Sequence, residues 1–79
     1  MNKREVSKDF MINLIRTETP KYNGVDDDGI MHLKSSIYDF VYTPFGQIVA
    51  SNSRTGISYI CYGHEFSLMY EGIRAERMK

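Results

Sequence analysis

Residues 37–62 decide the fold: Ile37-Tyr-Asp-Phe-Val-Tyr42, Thr43-Pro44-Phe45-Gly46, Gln47-Ile-Val-Ala-Ser-Asn52, Ser53-Arg54-Thr55-Gly56, Ile57-Ser-Tyr-Ile-Cys-Tyr62. The three longer pieces are rich in β-branched and aromatic residues, which suit a pleated, half-buried surface. Thr43–Gly46 carries Pro at the second and Gly at the fourth position, the chemistry of a reverse turn. Ser53–Gly56 turns the chain again. Two hairpins in succession predict a three-stranded antiparallel meander. The stretch Ile30 to Lys34 admits a short fourth strand at its edge.

Upstream, Val6, Phe10, Met11, Leu14 and Ile15 fall on one stripe of a helix. Asn2 with Glu5 would make an N-terminal capping pair, with Ser7 a later alternative. Pro20 disfavours helical geometry at Thr19, so the helix should stop near Thr17 or Glu18. Thr19 to Gly29, with Pro20, Asn23, Gly24 and Asp26-Asp27-Asp28, reads as a long polar loop. Downstream, Phe66, Met69, Tyr70 and Ile73 recur at helical spacing and predict a helix from Glu65 to Arg77. Phe66, Leu68 and Tyr70 also alternate, and Gly63-His64 would suit a hairpin turn, but the Glu, Leu, Met, Arg and Ala content favours the helix. The expected fold class is therefore α+β: one domain over 1–79, with a helix at each end of a small antiparallel sheet.

The 79 residues weigh 9.2 kDa, with 42% apolar and 25% charged residues and a formal net charge of zero. Size scaling gives a buried fraction of roughly 63%, enough for marginal independent stability. The single Cys61 allows no internal disulfide, and no apolar run approaches a membrane span. The charged start, Met1 to Phe10, has no apolar signal core. A cytoplasmic protein without a membrane segment is the expectation.

Most chemistry is disfavoured residue by residue. If Gly29 were the sixth position of a calcium loop, Gly24 and Ser35 would occupy the first and twelfth, where carboxylates are required. Cys61 and His64 have C-x-x-H spacing, but with His32 they make only three Cys or His residues, short of a structural zinc set. No Ser lies in a G-x-S-x-G elbow, and the six glycines form no phosphate-binding motif. The expectation is a non-enzymatic protein with no metal and no cofactor.

Four-residue hairpin loops would set Tyr42 opposite Gln47 and Asn52 opposite Ile57. Alternation then puts Ile37, Asp39, Val41, Ile48, Ala50, Asn52, Ile57, Tyr59 and Cys61 on one face. Tyr38, Phe40, Tyr42, Gln47, Val49, Ser51, Ser58, Ile60 and Tyr62 take the other. Two helices cover one face of a small sheet, so the ring-rich, uncharged face is expected to stay open. A helix on each face would instead make these rings ordinary core, and a bulge at Gly46 or Gly56 would re-sort the faces.

Tyrosine-rich surfaces suit protein interfaces. The leading expectation is thus a protein–protein interaction module, or a homodimer, with Tyr38, Phe40, Tyr42, Gln47 and Tyr62 as its contacts. Small accessory inhibitors of the phage or plasmid type, acting on a host enzyme or defence complex, have this general character. The second reading is a nucleic-acid-binding module. The order α-β-β-β-α resembles that of double-stranded-RNA-binding domains, and an aromatic face resembles a base-stacking platform. That reading needs Lys3, Arg4, Lys8, Arg16 and Arg54 to gather into one patch; the same cations would serve an acidic partner. Residues 1–16 carry a local charge of +2, residues 17–42 one of −3, and from Thr43 to His64 the only formal charge is Arg54.

Overall fold

The computed structural model describes residues 2–77. The elements run β1 (Asn2–Glu5), α1 (Lys8–Glu18), β2 (Lys21–Val25), β3 (Met31–Lys34), β4 (Tyr38–Tyr42), β5 (Gln47–Asn52), β6 (Ile57–Tyr62) and α2 (His64–Arg77). The strands form one mixed sheet in the order β1-β6-β5-β4-β3-β2, with β1 parallel to β6 and every other pair antiparallel. The α+β class holds. The three-stranded meander is the centre of a six-stranded sheet, since β3 joins it as the fourth strand and β1 and β2 form the two edges.

Both new edge strands come from stretches assigned otherwise in the sequence. Asn2 and Glu5 do not cap a helix: they pair with Ile57 and Ile60 of β6. The helix starts later, where Ser7 is the N-cap and its hydroxyl accepts from the Phe10 N–H at 3.1 Å. It ends at Glu18 as the following Pro20 demands, and Thr19, at φ 43, closes it with an N–H donated to the Ile15 carbonyl. Within the expected polar loop 19–29, Lys21–Val25 is a strand with an irregular register between Tyr22 and Val25, where Gly24 takes φ 106.

Met11 of α1 and Phe66 and Tyr70 of α2 join Met31, Leu33, Phe40, Tyr42, Ile48, Ala50 and Cys61 in one buried cluster. The strand members alternate along their strands and lie opposite one another in register, so they belong to a single face. Both helices therefore cover the same side of the sheet. In α2, Phe66 and Tyr70 are sealed while Met69 and Ile73 are half-buried, which is the apolar stripe the sequence spacing predicts. No helix among the described residues is long and apolar enough to cross a membrane.

The sorting of the two faces differs from the sequence reading at β4. The Thr43 N–H donates to the Gln47 carbonyl at 2.9 Å, and Gly46 sits at φ 93. This is a turn closed by a left-handed glycine bulge, which leaves three residues in the loop. Tyr42 consequently pairs with Ile48 rather than Gln47, Phe40 with Ala50 and Tyr38 with Asn52. A shift of one residue moves every side chain of a strand to the other face. Tyr38, Phe40 and Tyr42 point under the helices; Asp39 and Val41 point away. The second hairpin has the expected register, with Gln47 opposite Tyr62 and Ser51 opposite Ser58.

Candidate functional site

The face not covered by helices is built from β-branched and hydroxyl side chains. Register sets Val41, Val49 and Ile60 side by side across β4, β5 and β6, flanked by His32 of β3 and Glu5 of β1. The row toward the Arg54 turn reads Lys34, Asp39, Ser51, Ser58 and Lys3, with the two serine hydroxyls 3.0 Å apart. On the opposite flank Gln47 lies beside Tyr62, and its amide donates to the phenol oxygen at 3.5 Å. None of these side chains is buried, and Tyr62 is 56% exposed. The result is an uncharged centre of three aliphatic residues with polar and charged margins.

Of the five proposed contact residues, only Gln47 and Tyr62 lie on this open face. Phe40 and Tyr42 are 0% and 1% exposed in the core. Tyr38 packs against that core, half-buried, with its ring centroid 5.8 Å from that of Phe40. The five cations do not gather in one patch. Lys8 lies at the Gly63–Glu65 end of the sheet, paired with Glu65 at 3.3 Å. Arg54 occupies the β5–β6 turn at the opposite end, nearer Asn2 and Lys3. Arg16 lies in the last turn of α1. Arg4 is level with Tyr59 on the helix side, and Lys3 is on the open side level with Ser58.

Two pairs mark the β3 side of the open face, Lys34 with Asp39 at 3.9 Å and His32 with Asp26, of which the second is the closer. Asp26 uses Oδ1 to accept from the Asp28 and Ile30 N–H groups at 2.9 and 3.0 Å, tying the 26–30 turn. Its Oδ2 meets His32 Nε2 at 3.0 Å. The hydrogen bond from His32, and then the Ile30 N–H, hold the carboxyl below the ordinary aspartate range. The acidic run is thus a turn-building device in which Asp26 does the local work. Cys61 is buried in the core, and burial pushes its thiol pKa up, while His64 is exposed with its ring beside the Ser67 hydroxyl at 3.4 Å. Glu65 is held below the usual glutamate range by its own backbone N–H and by Lys8.

A second feature lies on the helix side, where the sequence reading placed no site. Residues from the end of α1, from β2, β3 and β4 and from α2 line a cleft of about 900 Å³, among them Ile15, Leu33, Tyr42, Met69 and Ile73. The sequence signal that could have marked it is Gly72, a glycine without a turn to make in the middle of a helix. No family model matches this chain, and neither curated proteins nor solved structures give a match to it.

Proposed function

We propose that this protein is a non-enzymatic protein-binding module that docks a partner on the open face of its sheet. The observation carrying this reading is the contiguous row Val41, Val49 and Ile60, half-buried by their neighbours but covered by neither helix, across three adjacent strands and bordered by Tyr62, Gln47 and paired serines. Single exposed aliphatic residues are commonplace, whereas a cross-strand group with a polar rim is the layout of an interface centre. Five inter-strand spacings make the face roughly 24 Å wide, so a standard footprint of ~800 Å² would also engage its charged margins. A small inhibitor of a larger enzyme or complex would use such a face as its contact.

The nucleic-acid reading loses its main support. The rings needed as a stacking platform, Phe40 and Tyr42, are under the helices, and Lys8 and Arg54 sit at opposite ends of the molecule.

A photo-crosslinking residue at Ser51, introduced in cells that naturally make the protein, should give a discrete adduct. The same residue at Leu68, exposed on α2, should not, and adding Val49→Lys should abolish the Ser51 adduct. An adduct of twice the protein's own mass would identify the partner as a second copy. No adduct at Ser51, or equal capture from Leu68, refutes the reading.

A further inference from the structure

The cleft between the helices lies on the opposite side of the sheet from the proposed docking face, and three observations describe what it is built to hold. Its volume, about 900 Å³, is within the range of small-molecule sites. Its floor includes Tyr42, 1% exposed, whose hydroxyl has no hydrogen-bond partner among the described residues. Burial pushes that phenol pKa up to about 12, so at neutral pH it keeps its proton and can donate it to an acceptor. No buried side-chain polar atom among the described residues is left without a partner, so this hydroxyl reaches the solvent of the cleft, where an acceptor oxygen of a ligand can replace water.

The walls are Ile15 from α1 and Met69 and Ile73 from α2, with Gly72 between the last two. A Cβ at Gly72 would meet nothing within 4 Å. Neither a turn nor tight packing explains a glycine there, although glycine lowers helix stability relative to alanine. It leaves open space at that point of the cleft's lining. At the mouth stand Lys21 and Arg77 against Glu76, an excess of one positive charge. The Arg77 guanidinium is held 4.6 Å above the Tyr22 ring centroid, which fixes its position at the rim.

We propose that this cleft binds a small apolar carboxylic acid bearing a second oxygen function. The carboxylate meets Lys21 and Arg77, the apolar body lies between Ile15, Leu33, Met69 and Ile73, and the second oxygen accepts from the Tyr42 hydroxyl. The site is independent of the docking face and stands or falls separately.

The probe is 10-hydroxydecanoate, with decanoate and decylammonium as comparisons, followed through amide chemical shifts of the full chain. Saturable shifts centred on Ile15, Leu33, Tyr42 and Ile73 are expected, strongest for the hydroxy acid and weakest for the cation. Tyr42→Phe should lower affinity for 10-hydroxydecanoate three- to tenfold and leave decanoate unchanged. Gly72→Leu should fill the cleft, abolish binding of both acids and raise the melting temperature, because leucine is the better helix former. Gly72→Ala, a smaller plug, should weaken binding while keeping the fold. The proposal is overturned by no saturable shift up to about 10 mM, by decylammonium binding as well as decanoate, or by unchanged binding in both Gly72 variants.

Discussion

Replacing Gly46 with alanine tests the turn on which the arrangement of the faces depends. Gly46 is at φ 93, and a Cβ there would lie 2.6 Å from the Gly63 carbonyl oxygen. Two separate costs follow. A left-handed conformation costs an L-residue with a Cβ about 1–2 kcal/mol. The contact with Gly63 is backbone against Cβ, so it cannot be relieved by a rotamer change, and the Gly63 N–H to Gly46 carbonyl bond at 2.9 Å must strain with it. Losing that bond adds roughly 0.5–1.5 kcal/mol, for a total of about 1.5–3.5 kcal/mol. Gly56 supplies the control: it has φ 74, but a Cβ there meets nothing within 4 Å, so Gly56→Ala carries only the conformational part. A chain of this size has a total stability of roughly 4–12 kcal/mol, and each kcal/mol moves its melting temperature by about 4–8 °C. Urea melts of both variants read the difference directly. If Gly46→Ala and Gly56→Ala destabilise equally, the β4–β5 turn does not press on Gly63 and the reasoning fails.

Three further outcomes follow from the packing. The Tyr70 hydroxyl donates to the Gly29 carbonyl and accepts from Arg74 Nη1, so Tyr70→Phe should cost about 1–2 kcal/mol and speed amide exchange in 26–30. Because the folded pKa of Asp26 is depressed, its contribution is present above the unfolded value and disappears as pH falls through the folded one. Exchange protection of the Asp28 and Ile30 amides should therefore be flat above about pH 5 and be lost only on the acid side of the ordinary aspartate value of about 3.9, with Asp26→Asn removing the pH dependence; protection that changes between pH 6 and 8 instead would point to a different group. Cys61, buried with a raised pKa, should resist iodoacetamide in the native protein and react once urea unfolds it; rapid native labelling would show that the core around β6 opens.

The elements with a strong hydrophobic period were legible in the sequence. Both helices and the strands β3 to β6 announce themselves by spacing, and Pro20 and Ser7 mark where α1 stops and starts. The edges were not, and the reason is physical. All four residues of β1 are exposed, so no apolar alternation marks it; it is held by backbone pairing to β6 and by the Val6 N–H donated to the Ile60 carbonyl at 2.9 Å. In β2 the bulge around Gly24 interrupts the alternation after Tyr22, and Asn23-Gly24 resembles a turn more than a strand.

The facing of β4 is a closer contest, because Thr43-Pro44-Phe45-Gly46 suits a four-residue loop and a three-residue loop with a glycine bulge equally well. Burial energy settles it. The bulged register buries Phe40 and Tyr42 and most of Tyr38, three large side chains at about 1.5–3 kcal/mol each, the same scale that applies to any fully buried apolar residue. The other register would bury Ile37 and Val41, worth about 1.5–3 kcal/mol each, and would carry the Asp39 carboxylate under the helices. That carboxylate was the signal available in the sequence: an ionised group cannot enter an apolar core unpaired, whereas on the open face it reaches Lys34 at 3.9 Å. The same slip relocates the functional question. Tyrosine reads as a surface residue because of its hydroxyl, yet here Tyr70 satisfies that hydroxyl on Gly29 and Arg74, and Tyr42 carries its own to the floor of a cleft. A buried tyrosine whose hydroxyl is satisfied rigidifies a core, while one whose hydroxyl faces a cavity leaves a donor for something else to complete. The difference lies in where α2 passes and in the missing side chain at Gly72, and neither is a property of the tyrosine itself.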